Sequence, residues 1–156
     1  MKHSFGMGMV SQQSMNTMTK RMSDARTIKK FHKWKMGQIN IQSCSDDARL
    51  HQTLHECKRA NLDTICLQEV QRLNTGSVNY IGYNFYWSGL QRYRKHGVGI
   101  AIKGNPSIVV NGIINSSARL MAADVTVQGC KLRVISCYAP TLDKPLSSKL
   151  LFFREL

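Results

Sequence analysis

The sequence predicts an α/β fold, and three observations carry that prediction. A polar-ended strand pattern at the start, Met36 to Gln42, is followed by one amphipathic helical stretch. A short, almost unbroken apolar run comes next, and several more strand-like runs separated by turn signals follow it. One helix set among many strands is what an α/β sandwich assembled from two halves shows in each half. No internal repeat is visible within the 156 residues.

The elements follow in order. In residues 36–42, Ile39 and Ile41 share one parity while Gln38, Asn40 and Gln42 share the other, the period of two expected of a strand. Ser45 or Asp46 is placed to cap a helix running to about Ala60, with Leu50, Leu54 and Cys57 forming its apolar face. Asp46 and Asp47 at its start suit the helix dipole, and Asn61 is suited to a left-handed stop. A buried strand is expected over about 64–68, then a loop through Asn74-Thr75-Gly76-Ser77 and an aromatic strand over 83–87. Further strands are expected near 97–102, 107–114, 120–127 and 131–138, punctuated by Gly104-Asn105-Pro106 and Gln128-Gly129. Leu146 to Leu156 reads as a closing helix.

Charge divides the chain. The net charge is +13. Residues 1–35 hold eight Lys or Arg against one Asp, a surplus of seven, and residues 36–156 hold fourteen against eight, a surplus of six. The first segment lacks sustained periodicity and reads as a disordered basic arm, with a weak helical pattern through Ile28, Phe31 and Trp34. Such an arm attracts nucleic acid by neutralising phosphates, and anionic membrane surfaces by the same force. No apolar run reaches the ~20 residues of a membrane span, so no stable membrane association is expected. The N-terminus lacks a signal peptide's apolar core, which argues against secretion and for a nuclear or cytoplasmic location. The five cysteines form no metal-type C-x-x-C pair. Cys57, Cys66 and Cys137 fall at apolar positions, as small hydrophobes in a reducing compartment would.

Three residues point to chemistry. Glu69 closes the run Ile65-Cys66-Leu67-Gln68, where a carboxylate gains nothing from packing and is costly if left unpaired. Its structural explanation is a salt bridge to Arg72 or Arg59. Its functional explanation is a ligand to Mg²⁺, which one or two carboxylates plus substrate phosphates commonly hold, at the strand ends where ligands collect in open α/β sheets. Asn40 is out of character in a strand, and Tyr138 lies two residues before Pro140, where its phenol can donate to a phosphate or orient a neighbour.

Taken together, these pieces resemble the endonuclease/exonuclease/phosphatase superfamily, and within it the endonuclease-like domains of non-LTR retrotransposons and the craniofacial-development-protein-like group. The resemblance covers residues 36–156. It runs through Ile39-Asn40-Ile41, Leu67-Gln68-Glu69, the glycine-flanked His96-Gly97-Val98-Gly99, Arg119-Leu120-Met121 and Cys137-Tyr138-Ala139-Pro140-Thr141. It implies the N-terminal half of a four-layered, DNase I-like α/β sandwich, Mg²⁺ or Mn²⁺ as the cofactor, and hydrolysis of phosphoesters, with DNA as the partner. On that basis Glu69 is the expected metal ligand, Asn40 and Tyr138 the expected catalytic residues. Arg119 is a candidate phosphate contact or an ion-pair partner of Asp124 or Glu69. The run Arg92-Tyr93-Arg94-Lys95 is a candidate DNA-backbone contact or a solvated turn, and His96 reads as an exposed loop residue.

Departures bear on activity. The family's Gly-Asp-Phe-Asn and Ser-Asp-His motifs do not occur in this sequence, and Gln42 stands where many relatives carry Arg. The expectation is therefore a truncated domain with endonuclease ancestry and little activity of its own, or a non-catalytic basic remnant of a retroelement that binds nucleic acid. A half-sandwich is also expected to leave the inner face of one sheet uncovered and prone to self-association.

Overall fold

A computed structural model describes residues 33–156. They form a mixed α/β fold of two sheets and two helices. The elements are β1 (Met36–Asn40), α1 (Asp47–Arg59), β2 (Thr64–Gln68), β3 (Thr75–Tyr80), β4 (Tyr83–Ser88), β5 (Val98–Lys103), β6 (Ile108–Ser117), β7 (Leu120–Val127), β8 (Cys130–Cys137) and α2 (Leu146–Glu155). The basic arm read over residues 1–35 lies outside the described residues except for its last three. Of those, Trp34 and Lys35 are bound to the fold. The Trp34 indole donates to Thr64 Oγ1 at 3.1 Å, and the Lys35 amide donates to Asp63 Oδ2 at 2.9 Å.

The first sheet has the order β1-β2-β5-β4-β3, with β1 and β2 parallel and the other pairs antiparallel. The crossover between the parallel strands is α1, as a strand-helix-strand unit requires. Asp46 caps α1 by accepting from the Arg49 amide at 3.0 Å. Leu50, Leu54 and Cys57 turn inward and pack with Ile65, Leu67, Tyr83, Phe85 and Ala101. Asn61, at φ 53°, takes the left-handed conformation just beyond the helix.

The second sheet is the antiparallel meander β6-β7-β8. The β7–β8 hairpin turns on Gln128 and Gly129, both at positive φ, the turn geometry that matches strand twist. Met121, Ala123, Val125, Val127 and Val134 pack against Cys66, Val98, Ile100 and Ile102 of the first sheet. The two inner faces therefore cover each other, contrary to the expectation of an uncovered inner face. Leu132, toward the start of β8, is the inner-parity residue there that stays exposed, and other exposed apolar residues lie elsewhere. Ile114 and Ile135 flank Ala122 on the outer face of the second sheet, and Leu150, Leu151 and Phe153 project from α2, which buries only Phe152.

Two further expectations are corrected. Residues 75–80, with 75–77 read as part of a loop, form β3, paired along its whole length with β4. The polar sequence Thr-Gly-Ser-Val-Asn-Tyr is tolerated because β3 is an edge strand, and Gly76 leaves room for the Trp87 indole that a Cβ would strike at 2.3 Å. Cys137 is exposed along with Cys130, whereas Cys44, Cys57 and Cys66 are buried.

Candidate active site

The strand ends that gather the predicted residues are conformationally unusual. Glu69, Gln71, Gln42, Ser43 and His96 all have positive φ without being glycine. L-residues avoid this region, and such outliers cluster where surrounding structure holds side chains for function. The backbone around them is tied together by hydrogen bonds. Ser43 N donates to Glu69 O at 2.8 Å, Val70 N to Gly97 O at 3.0 Å, and Gln71 N to His96 O at 2.8 Å. Gly97, at φ 90°, has no side chain because a Cβ would meet the Gln71 amide at 3.0 Å.

The left-handed turn at the end of β2 swings Glu69 out of the strand, half-buried, toward two donors from different sheets. Asn40 Nδ2, at the end of β1, donates to Glu69 Oε1 at 2.9 Å. Tyr138 Oη, just past β8, donates to the same oxygen at 2.8 Å. Asn40 is itself fixed, its Oδ1 accepting from the Gln42 amide at 3.1 Å. Glu69 Oε2 has no partner among the described residues. The Asn40 amide, and then the Tyr138 hydroxyl, hold the Glu69 carboxyl below its usual range, while the carboxylate beside it pushes the Tyr138 phenol up.

The structural explanation of Glu69 fails. Arg72 pairs with Asp47 and donates to Cys44 O at 2.9 Å, its guanidinium 5.0 Å from the Trp87 ring centre, while Arg59 pairs with Glu56 within α1. Arg119 pairs with neither Asp124 nor Glu69. Asp124 is taken by Arg133 at 2.7 Å. Arg119 Nη1 donates to Tyr138 O at 2.9 Å, its guanidinium lies 5.1 Å from the centre of the Tyr138 ring, and Nη2 reaches His96 Nε2 at 3.2 Å.

His96 is the residue that sequence reading missed. It is half-buried, with its ring 5.8 Å from that of Tyr138. Burial, then Arg119 and Lys95, push its pKa down, and Glu69 only partly offsets them. Arg119 can only donate, so the contact needs a neutral imidazole with its lone pair facing the guanidinium. A signal was present in the sequence: a histidine immediately before a glycine that opens a buried strand. The basic run divides. Lys95 lies beside His96 on the site's flank, Arg94 turns away to donate to Ser45 O at 3.2 Å, and Arg92 stays exposed.

Among the described residues, no three His, Cys, Asp or Glu side chains lie close enough together to hold a metal ion. Glu69 offers one free carboxylate oxygen beside neutral amide and phenol groups. That donor set fits a hard cation that takes most of its ligands from water and phosphate, and does not fit a closed protein cage. No family model matches the chain, and no curated protein matches it. Among the described residues, no helix is long and apolar enough to cross a membrane.

Proposed function

We propose that this chain is a nucleic-acid-binding domain of the endonuclease/exonuclease/phosphatase type, with a DNase I-like sandwich as its ancestral fold. In this reading a phosphodiester of DNA meets the protein at Glu69, Asn40 and Tyr138. The observation that carries the reading is the fixed carboxylate. Glu69 sits at a strand end in a strained conformation, with one oxygen held by donors from two sheets and the other without a partner among the described residues. A purely structural carboxylate has a cationic partner, and Glu69 has none within ion-pair distance among the described residues.

The free oxygen of Glu69 would hold Mg²⁺ or Mn²⁺, which when bound neutralises charge developing on a leaving phosphate oxygen. Asn40 keeps the carboxylate oriented without adding negative charge. Tyr138 donates its proton to Glu69 and keeps the ring face toward Arg119. Arg119 and Lys95 supply positive charge where a strand's phosphates would pass.

A second reading, a basic remnant that binds nucleic acid without cleaving it, is favoured by one observation. The neutral lone pair of His96 is occupied by Arg119, and with the free oxygen of Glu69 given to the cation, the site has no further free general base among the described residues. Supercoiled plasmid with Mg²⁺ separates the two. The expected result is binding without nicking. Binding should weaken steeply with salt, and deleting residues 1–32, which removes six Lys or Arg and one Asp of the +13 total, should lower the log–log salt slope by about two fifths. Glu69→Gln should abolish any effect of Mg²⁺ on binding. Metal-dependent nicking that disappears in Glu69→Gln would instead establish the enzyme, and Mg²⁺-independence of both would overturn the Glu69 site.

A further inference from the structure

Next to Glu69 lies a cavity of about 480 Å³, within the size range of small-molecule sites. Its walls come from the loop before β5, the β6–β7 turn, and the segment from Pro140 through α2. Arg119 and His96 stand between it and the Glu69 cluster, touching Tyr138 on one side and lining the cavity on the other.

We propose that this cavity seats one nucleotide unit of a nucleic-acid strand, adjacent to the phosphodiester held at Glu69. The inference rests on the reading of Glu69 as a phosphodiester site and adds a second contact to it. Three features fix the ligand class.

The first is uncompensated charge. Arg119 is half-buried, yet among the described residues it has no carboxylate within ion-pair distance. Its side-chain partners are a carbonyl and an imidazole. A guanidinium withdrawn from water without an anion is costly, and a phosphate is the planar fork's natural complement. Lys95 lines the same cavity and likewise lacks a carboxylate among the described residues, and Lys144, paired with Asp143 at 2.9 Å, adds a third, compensated cation at the rim. The second feature is the apolar wall, made chiefly by Leu90, Ala118, Leu151 and Phe152. Inorganic phosphate has no use for it, whereas a sugar and base do.

The third is Glu155, the one carboxylate among the lining residues. It ends α2, while Lys144 precedes the first turn, so about 15 Å of helix separates them, and Glu155 pairs with no cation among the described residues. A second phosphate would be repelled there. A neutral base edge with an amino group would be accepted, as carboxylates accept from cytosine N4. One anionic end, an apolar body and a neutral donor edge describe a nucleotide, not a polyphosphate.

The test is calorimetric titration of the full chain at fixed ionic strength with a deoxycytidine hexanucleotide, dCMP and inorganic phosphate. Affinity should fall in that order, with about a tenfold gap between dCMP and phosphate. Ser148 is exposed on the cavity's rim, so Ser148→Trp fills the space without altering charge or core. It should weaken hexanucleotide and dCMP binding about tenfold. Arg119→Gln should do the same, and Lys131→Gln, an equal loss of charge on the outer face of β8, should change affinity less than about twofold. Equal affinity for dCMP and phosphate, or indifference to Ser148→Trp, would overturn the cavity assignment. If Mg²⁺-linked plasmid binding still depends on Glu69 when Ser148→Trp is silent, the cavity reading falls alone. If Ser148→Trp weakens binding while Glu69→Gln has no effect on Mg²⁺ dependence, the cavity stands and the Glu69 reading falls.

Discussion

Strand β2 and strand β8 are close neighbours with opposite fates. Every residue of β2 is buried, because α1 covers one face of its sheet and the second sheet covers the other. In β8 only Val134 and Ser136 are buried, since its sheet is covered on one face. The sequences record the difference. Thr-Ile-Cys-Leu-Gln is a continuous buried run, whereas Cys-Lys-Leu-Arg-Val-Ile-Ser-Cys mixes charges with apolar residues. Glu69 belongs to the covered region, and a covered scaffold is what allows its strained backbone to persist.

The contrast predicts unequal costs of truncation. Leu54→Ala, in the fully buried cluster beneath the first sheet, should cost about 2–5 kcal/mol in urea unfolding. Ile135→Ala on the outer face should cost less than about 1 kcal/mol. Equal costs would mean that the outer face is covered in solution. Self-association tests the same point from the other side. Ile114, Ala122 and Ile135 form a row across three strands, and Ile114→Lys with Ile135→Glu should reduce concentration-dependent sedimentation. A native chain that sediments as a monomer at every concentration would rule out this face as an association surface.

Thiol labelling sharpens the comparison. Cys130 and Cys137 should react within the native state, and Cys44, Cys57 and Cys66 only on unfolding. Burial pushes the Cys66 thiol up to about 11, so almost no thiolate is present to react at neutral pH. Fast modification of all five would place the covered sheet in an open state.

The smallest expected effect is on pH. His96 is held below its ordinary pKa in the folded chain, so as pH falls below about 6.5 the unfolded chain takes up a proton that the folded chain resists. Stability from this source is complete above about pH 6.5 and is lost on acidification. Arg119, Lys95 and Lys144 face the ring as cations, and Glu69 as the opposing anion. The carboxylates with lowered pKa values titrate below this window. The urea midpoint should therefore fall more between pH 7.5 and 5.5 in the native chain than in His96→Gln. An identical fall in both would remove His96 from the account.

Much of this was legible in the sequence, and the exceptions have physical causes. The helix, its cap, its buried stripe and strand β2 follow from periodicity and capping chemistry, which are local. Asn40, Glu69 and Tyr138 were legible because each is a polar residue that its own strand cannot explain, and the three converge on one carboxylate oxygen. β3 was not legible, because its stability comes from pairing with β4 and not from its own composition. The place of His96 before a strand-opening glycine was a signal, but its burial was not legible, because loops lack periodicity and that burial depends on a turn 23 residues away at Arg119. The mixed sequence of β8 marked a sheet face as open but not which one, since period-two alternation does not say on which side another layer covers the sheet.

Strand β1 pairs only with β2, and its outer edge has no strand beside it among the described residues. Four of its five residues are exposed. The bond from Asn40 to Glu69 is thus a latch at the end of a one-sided ladder, and whatever loosens that ladder also leaves the carboxylate with Tyr138 as its one remaining donor among the described residues. Opening of such an edge is a sub-global event, cheaper than unfolding the whole molecule. The amides of β1 should accordingly exchange with deuterium sooner than those of β2, and their exchange rate is a clock for how often Glu69 loses its amide donor. A strand stack laid against that edge would slow the clock, making the state of the carboxylate readable from backbone amides alone.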